Sequence, residues 1–250
     1  MDYVISSDDC VLRHRIPYHS RMVRILVVAD EIVPSLYSPS VHTIKPDLII
    51  AAGDLPWDYL DFLESSLNVP LVFVPGNHDP EVEKKDRSGL CLRDGMPCSS
   101  AQPYGGINVD GTVVEVAGLR IAGLGGCVRY RPGPNQYSQR QYAWKGRRLV
   151  RKARRAFGRD AGLDILLTHA PPFGLGDEQD RPHVGVHALH RVLAELQPRW
   201  HLHGHIHPYG VARPDRQVGR TTIRNVVPWK IMEIEPASTI STESRTVLSG

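Results

Sequence analysis

The sequence predicts an α/β fold with a parallel sheet, because buried strands alternate with helical segments and each strand is followed by polar residues. Apolar runs at residues 23–29 and 47–52 have the composition of buried strands, and they end at Asp30 and Asp54. Ligands of parallel sheets gather beyond the carboxyl ends of the strands. We therefore expect a site where these strands end.

The next elements repeat this pattern. Apolar residues recur at helical spacing over residues 57–67, which predicts a helix. A third buried strand at residues 70–75 ends in the sequence Gly-Asn-His-Asp at residues 76–79. Residues 80–106 hold glycine, proline, serine and charged residues without a period, which predicts a long loop that covers a site.

A second sheet is predicted from residue 112 onwards. Residues 112–116 and 119–124 are expected to form a hairpin, and a buried strand at 163–167 ends at Thr168-His169. An amphipathic helix is predicted over residues 186–196, before a strand at 199–203. Further short strands are expected to complete this second sheet, near residues 209–212, 221–227 and 230–234.

A helix predicted over residues 136–157 is rich in positive charge, with eight lysine or arginine residues between positions 145 and 159. The favoured interpretation is a solvated helix face with Leu149, Ala153 and Phe157 turned inward. The alternative is a surface that binds the backbone of a nucleic acid.

The composition is that of a globular protein with one sizeable core, since 41% of the 250 residues are hydrophobic and 23% are charged. No apolar run approaches the ~20 residues of a membrane-spanning helix, and the N-terminus lacks the order of a signal peptide, so we predict no membrane partner and a cytoplasmic location. The formal net charge of +3 is too small to imply nucleic acid by itself.

Three segments are predicted along the chain. Residues 1–21 mix polar and charged types with no period and are expected to form a disordered extension. Residues 22–234 hold the predicted domain. From residue 235 to residue 250 the chain is rich in serine and threonine, which predicts a disordered tail.

Residues 201–207, with the sequence His-Leu-His-Gly-His-Ile-His, place four of the twelve histidines at every second position. Imidazole is the commonest metal ligand, and Gly204 falls where a strand would end, so His205 and His207 are expected on a loop beyond the strand. An exposed strand with histidines on its polar face, or a chance run, is the alternative.

Together, the strand ends offer carboxylate, amide and imidazole groups from five segments: Asp30, Asp54, Asn77, His78, His169, His205 and His207. This mixture favours Mn, Fe, Zn, Co or Ni over Ca, which prefers oxygen ligands alone. The absence of cysteine ligands argues against a structural zinc site.

The chain resembles the calcineurin-like metallophosphoesterases over residues 22–234. Four motifs carry the resemblance in the family's order: Gly53-Asp54, Gly76-Asn77-His78-Asp79, Thr168-His169 and Gly204-His205-Ile206-His207. The resemblance implies a four-layer α/β/β/α sandwich with two divalent metal ions between the loops at the carboxyl ends of the sheets. It also implies an enzyme that hydrolyses a phosphomonoester or a phosphodiester by a metal-activated hydroxide.

The resemblance also assigns roles to the strand-end residues. Asp54 would bridge the two ions, with Asn77, His169 and His205 completing one site and Asp30 and His207 belonging to the other. His78 would contact the phosphate and protonate the leaving alkoxide, with Asp79 orienting it. The alternative for His78 is a satisfied histidine in a tight turn. His201 and His203 are left with roles in packing or in fixing a ligand's tautomer.

One position departs from the family's pattern, because Ile32 stands where an Asp-x-His motif would have its histidine. Isoleucine cannot bind a metal, so the ion beside Asp30 is expected to be labile, water-rich or completed by Glu31 or His42. The chain also resembles a bacterial subgroup with a similar Ala-Asp-Glu start, in which the missing histidine would be a shared trait.

Four residues on loops are expected to border the substrate: Arg129, Tyr130, Asp180 and His183. Arg129 is suited to a bidentate phosphate contact, although loop charges are more often merely solvated. Two alternatives to the phosphoesterase stay open. One is a phosphate-sensing scaffold that has lost one metal, and the other is a nuclease that uses the basic helix. The sequence leaves the oligomeric state undetermined.

Overall fold

The computed structural model describes residues 12–13, 22–80, 91–93, 96–98, 102–158, 162–211 and 213–236, with the backbone alone at 12–13, 91–93 and 96–98. The helices are α1 (Trp57–Leu67), α2 (Gln139–Phe157) and α3 (Ala188–Leu196), and short 3₁₀ turns lie at Pro39–Thr43 and Arg181–His183. The strands in chain order are β1 (Leu12–Arg13), β2 (Val23–Val28), β3 (Leu48–Ala51), β4 (Leu71–Phe73), β5 (Cys91–Arg93), β6 (Met96–Cys98), β7 (Gly106–Asn108), β8 (Val113–Val116), β9 (Leu119–Leu124), β10 (Cys127–Val128), β11 (Gln136–Tyr137), β12 (Ile165–Thr168), β13 (Trp200–His203), β14 (Arg216–Val218), β15 (Thr221–Asn225) and β16 (Trp229–Ile234).

The first sheet has the strand order β16-β2-β3-β4-β7. β2, β3, β4 and β7 run parallel, and β16 pairs antiparallel with β2 at the edge. In this register Val28 pairs with Ala51, and Ala51 pairs with Phe73. The residues that follow β2, β3 and β4 therefore emerge at the same edge of the sheet.

The second sheet has the strand order β1-β8-β9-β12-β13-β15-β14. β9, β12, β13 and β15 run parallel. β8 pairs antiparallel with β9 and parallel with β1, and β14 pairs antiparallel with β15. Thr168 at the end of β12 pairs with His203 at the end of β13. His169 and Gly204, the next residues of these strands, are therefore neighbours at the edge of the sheet.

Three apolar clusters stack the elements into layers. Alternate side chains of β2 face two of them, because Val23, Ile25 and Val27 pack between the two sheets while Leu26 and Val28 pack against α1. The third cluster joins the second sheet to α2 and α3. The clusters thus place α1 against the first sheet, the two sheets against each other, and α2 and α3 against the second sheet, in a fold of the α/β class expected from the sequence.

The helices and the hairpin confirm the predictions made from apolar spacing. α1 has the predicted bounds. α2 begins at Gln139 rather than at residue 136, because the Ser138 side chain caps the helix by accepting from the Gln141 backbone N–H. β8 and β9 form the predicted hairpin.

Two predictions about the sheets are wrong. Residues 229–234 form β16 in the first sheet rather than completing the second, since they pair along the whole of β2. The described part of residues 209–212 holds no strand, because Tyr209 and Gly210 have φ values of +45° and +77° that turn the chain. β14 takes the edge position instead.

The predicted loop and the predicted extension each contain strands. Gly106–Asn108, at the end of the predicted loop 80–106, adds β7 to the first sheet, and β5 pairs with β6 within the same stretch. Leu12–Arg13, inside the predicted extension 1–21, pairs with β8. The remainder of that extension and residues 237–250 of the predicted tail lie outside the described residues.

α2 turns its charged side outward, as the favoured interpretation of its sequence expects. Leu149 and Ala153 are buried and Phe157 is half-buried, whereas Arg147 and Arg151 are exposed. Within the described ranges, no helix combines the length and the apolar character needed to cross a membrane.

We predict that α1 contributes to stability mainly through Leu63, whose side chain is fully buried against the first sheet. Leu63→Ala should lower the free energy of unfolding by ~2–5 kcal/mol, because it removes buried methyl groups and leaves a cavity. Leu67→Ala is the matched control, since Leu67 lies on the same helix but is only half-buried. Urea denaturation of both variants checks this, and equal losses would contradict it.

Candidate metal centre

The carboxyl ends of the two sheets meet at one place, where polar side chains from both are brought together. Backbone bonds join the segments, since Asp30 N–H donates to Gly53 O at 3.1 Å and Gly204 N–H donates to His169 O at 3.0 Å. His169 Nδ1 then crosses from the second sheet to Ala52 O of the first at 2.7 Å. The strand-end residues predicted from the sequence therefore converge on one centre.

Asp30 lies directly after β2 with a φ of +64°, in the left-handed region that residues other than glycine rarely adopt. Its carboxylate accepts from the His205 backbone N–H at 2.9 Å and 3.1 Å. His205 has a φ of +69° itself. Backbone strain of this kind, on the order of 1–3 kcal/mol per residue, is typical of functional sites.

Asp54 occupies the middle of the centre and is held on two sides. Its Oδ1 accepts from the His78 backbone N–H at 2.7 Å, and its Oδ2 lies 3.3 Å from His169 Nε2. Asp79 holds the Asp54 backbone, because its Oδ2 accepts from the N–H groups of Asp54 at 2.9 Å and Gly76 at 2.7 Å. Both carboxylates thereby fix the relation between β3 and β4.

Asp79 does not have the contact that the sequence led us to expect. Its carboxylate is buried and accepts from the backbone of Asp54 and Gly76, whereas His78 is exposed. No bond between Asp79 and the His78 ring is found in the described part of the chain. Asp79 therefore shapes the turn rather than orienting His78.

His169 and Asn77 form the buried side of the centre. His169 is fully buried, and its Nε2 lies 3.0 Å from Asn77 Oδ1. Because Ala52 O can only accept, His169 Nδ1 carries a proton and Nε2 is the nitrogen that faces Asp54 and Asn77.

His205 approaches the same point from the second sheet. Its ring centroid lies 4.8 Å from that of His169, and its Nε2 donates to Pro182 O at 2.9 Å. Burial, together with the charge on His169, lowers the pKa of His205 to about 3. The neutral ring thus keeps the lone pair of Nδ1 free.

His207 lies at the more open end of the centre. Its side chain is 30% exposed, and Nε2 is 4.0 Å from Asp30 Oδ1. Ile32 is 47% exposed. His42, one of the two residues proposed to replace the missing histidine, is exposed in the 3₁₀ turn Pro39–Thr43. The other residue, Glu31, contacts the ring of His207 through its carboxylate.

Two glycines permit these close approaches. A Cβ on Gly76 would lie 2.0 Å from Asp54 Oδ1, and a Cβ on Gly204 would lie 2.3 Å from Asp30 Oδ2. Both distances are far below van der Waals contact. The glycines of the two motifs are therefore required by space, because the backbone runs directly beside each carboxylate.

The centre carries an excess of buried negative charge. Burial raises the pKa of Asp30 to about 6, with the Asp54 charge acting in the same direction. Burial also opposes the charged form of Asp54, but the positive charge of His169 outweighs it and lowers the pKa of Asp54 to about 2. Burial would lower the pKa of His169, yet the Asp54 carboxylate raises it to about 10. A neighbouring positive charge therefore favours the ionised forms of Asp30 and Asp54.

The donor set fits a first-row divalent metal. Asp54, His169 and His205 each offer one ligand atom, and these atoms lie within 4.8 Å of one another. Asp54 Oδ2 and His169 Nε2, at 3.3 Å, lie within the ~4.2 Å that separates opposite donors around one ion at about 2.1 Å. Asn77 adds an amide oxygen, and the combination of imidazole with oxygen ligands suits Zn, Mn, Fe, Co or Ni.

Of the four predicted substrate residues, three lie close to the centre. Tyr130 OH is 3.4 Å from Asn77 Nδ2, and the ring of His183 is 5.3 Å from that of His205. Asp180 Oδ2 bonds His183 Nδ1 at 2.7 Å. Arg129 instead directs its guanidinium at Gln136 O, at 3.1 Å and 3.2 Å.

Two groups that help to build the centre were not predicted from the sequence. Asn225 at the end of β15 donates to Ile206 O at 2.7 Å and accepts from the Val227 N–H at 2.9 Å, so it holds the loop that carries His205 and His207. A polar residue at a strand end was the signal that identified the other positions and could have identified Asn225. Nothing in the sequence indicated the Pro182 carbonyl.

The two histidines of β13 are buried, as expected for packing roles. Thr168 Oγ1 donates to Ala170 O at 2.7 Å, so its contact with His201 Nε2 at 2.8 Å makes His201 the donor there. His201 Nδ1 is buried and has no hydrogen-bond partner among the residues that the structure describes. Burial therefore lowers the pKa of His201 well below its ordinary value.

We predict that His201 makes the fold sensitive to acid. The unfolded chain would take up a proton at His201 near pH 6.5 that the folded chain excludes, so the free energy of unfolding should fall as the pH drops below that value, by up to ~1.4 kcal/mol per pH unit. His201→Gln, which keeps a donor for Thr168, should remove this part of the slope. Urea midpoints between pH 7.5 and pH 5 measure it.

His187→Gln is the control for this prediction, because His187 is exposed and its change should leave the slope as it is. An unchanged slope in His201→Gln would mean that His201 does not resist protonation in the folded state.

The chain is similar to several known proteins. A family model described as calcineurin-like phosphoesterase matches residues 19–209. The human protein named metallophosphoesterase domain-containing protein 1 is 29% identical over 195 residues, which cover 66% of this chain and 56% of that protein. The chain thus spans about half the length of this curated relative. An uncharacterised protein of Haemophilus influenzae is 25% identical over 222 residues, covering 80% of this chain and 85% of its own.

The fold has counterparts among solved structures. The crystal structure of TT1561 of Thermus thermophilus superposes with a TM-score of 0.56 at 18% identity, covering 86% of this chain and 99% of that one. At this level of identity the similarity concerns the fold alone.

Proposed function

Since this chain belongs to the calcineurin-like phosphoesterase family, we propose that it hydrolyses a phosphate ester with two divalent metal ions held at the centre described above. Membership suggests metal-dependent phosphoester hydrolysis as the reaction class. The number of ions, the residues that bind them and the catalytic group are our proposal. Phosphomonoesters and phosphodiesters are both candidate substrates.

The position of Asp54 carries the proposal. Its carboxylate lies 3.3 Å from the buried His169, which in turn contacts Asn77, and it interacts electrostatically with both His169 and Asp30. A carboxylate in this position can bridge two cations. We assign Asn77, His169 and His205 to one ion and Asp30 and His207 to the other.

Each side chain has a defined task in this proposal. Divalent metal ions bound here would supply Lewis acidity and lower the pKa of a bound water towards ~7. His78 is exposed beside the centre, and its backbone N–H anchors it to Asp54 at 2.7 Å. The His78 imidazole can therefore contact a phosphate oxygen and donate the proton that the leaving alkoxide needs. Tyr130 OH borders the same opening, near Asn77.

The direct test is hydrolysis of p-nitrophenyl phosphate and bis(p-nitrophenyl) phosphate by protein loaded with Mn²⁺, Fe²⁺, Ni²⁺ or Zn²⁺. We expect activity that a chelator removes and that Asp54→Asn abolishes, together with about two ions per chain by elemental analysis. Protein that binds metal but hydrolyses neither substrate with any of these ions would contradict the proposal.

We predict that His78→Ala lowers kcat without changing metal content. The loss should approach ~10²–10⁴-fold on an alkyl phosphate ester, whose leaving group needs a proton, and should be smaller on a p-nitrophenyl ester, whose leaving group does not. Steady-state kinetics on the two esters measure this difference. His187→Ala, a change of another exposed histidine, should affect neither. Equal losses of kcat on both esters would show that His78 does not donate a proton to the leaving group.

Different experimental results would support each of the two alternative functions, the phosphate-sensing scaffold and the nuclease. About one ion per chain, with phosphate binding but no turnover, would favour the scaffold. The nuclease finds support in the exposed Arg147, Arg148 and Arg151 of α2, with the Arg148 guanidinium 4.4 Å from the Trp144 ring centre. A gel shift at low salt tests it, because backbone contacts depend strongly on salt. It is the less favoured alternative, since α2 lies in the outer layer.

A further inference from the structure

We infer that Glu31 is a positioning residue for His207 and thereby compensates, in this chain, for the histidine that Ile32 replaces. The inference rests on the proposed function, since it concerns how one of the two ions is held. It assigns Glu31 the task of orienting a ligand, rather than the task of binding the ion itself.

The backbone after β2 brings Glu31 to this position. The Glu31 N–H donates to Ala29 O at 2.7 Å, which closes a three-residue turn around Asp30. Asp30, the central residue of this turn, has a φ of +64°. Because the chain reverses so tightly, Asp30 and Glu31 both reach His207 although they are consecutive in sequence.

Contacts on both ring nitrogens define the orientation of His207. Nδ1 lies 2.8 Å from Glu31 Oε1, while Nε2 lies 4.0 Å from Asp30 Oδ1. A carboxylate oxygen accepts, so Nδ1 donates to Glu31 and Nε2 is the ring nitrogen on the side of Asp30. This is the arrangement in which a carboxylate behind a histidine fixes the tautomer and the direction of a metal ligand.

Two further contacts hold His207 without setting its tautomer. The ring stacks on Tyr209 with centroids 5.6 Å apart, and Arg213 Nη2 donates to the backbone carbonyl of His207 at 3.2 Å. Neither contact involves a ring nitrogen. Among the contacts of the described residues, the one with Glu31 is therefore the one that fixes the tautomer of His207.

The pair should matter little for the stability of the fold. The side chains of His207 and Glu31 are 30% and 46% exposed, and exposed pairs contribute little because water screens them. A change of Glu31 should therefore leave the melting temperature nearly unchanged while it weakens the binding of one ion. This difference separates a positioning role from a structural one.

The experiment is calorimetric titration of the full chain with Mn²⁺, together with elemental analysis and thermal melts. Glu31→Ala should weaken the second ion about 10–100-fold and leave the tighter ion unchanged, as loss of such a supporting carboxylate typically does. Glu31→Gln should restore affinity to within about threefold of the wild type, because its amide oxygen can accept from Nδ1 in the same way.

Two variants serve as matched controls. Glu233→Ala changes another half-exposed glutamate, paired with Arg24 at 2.9 Å near the opposite end of β2. His42→Ala changes the other residue that could have replaced the missing histidine. Both should bind two ions as the wild type does.

Several results would overturn the inference. Wild-type affinity in Glu31→Ala would show that Glu31 has no effect on the ion. Equal losses in Glu31→Ala and Glu31→Gln would show that the carboxylate binds the ion itself. Either result with two bound ions and an active wild type would leave the proposed function standing. A wild type that binds no Mn²⁺ and hydrolyses nothing would overturn both.

Discussion

The ion pair of His169 with Asp54 is the interaction on which the centre depends. Asp54 stands in a largely buried position beside Asp30, where burial and mutual repulsion both oppose ionisation. A protonated His169 at 3.3 Å supplies the compensating charge, and it can do so because its other nitrogen is anchored to the opposite sheet. A divalent cation would supply more charge at the same point and would release that proton. The centre is thus arranged to exchange a proton for a metal.

The fold provides this arrangement by bringing the two sheets together at their carboxyl ends. Parallel pairing makes β2, β3 and β4 end together, and β12 and β13 end beside them. The final placement of the side chains depends on the local backbone conformation, because Asp30, Asp54 and His205 all have φ values between +56° and +69°. Such conformations are costly for residues with a Cβ. The large core between the sheets offsets that cost, so the strain lies where the side chains must converge.

Local patterns predicted most of the fold, and contacts between distant segments account for the rest. The period of apolar residues located α1 and the hairpin of β8 with β9, because each depends on neighbours in the chain. The sheet to which β16 belongs depends on a pairing about two hundred residues away, which no local pattern encodes. In the centre, the metal-ligating residue types were visible from their positions after strands. The carbonyl of Pro182 and the contact of Glu31 with His207 were not, since backbone groups have no sequence signature and a pair so far apart has no period.

The two halves of the centre differ in their access to water. His205 is buried and its Nε2 donates to the partly buried Pro182 carbonyl, whereas His207 is 30% exposed and contacts a half-exposed carboxylate. An ion beside His169 and His205 would be bound by donors that water cannot replace easily. An ion beside Asp30 and His207 would have fewer protein ligands and room for water. Under the proposed assignment of two ions, the second ion would therefore exchange faster, and a phosphate ester would enter at the open side of the centre, next to the exposed His78.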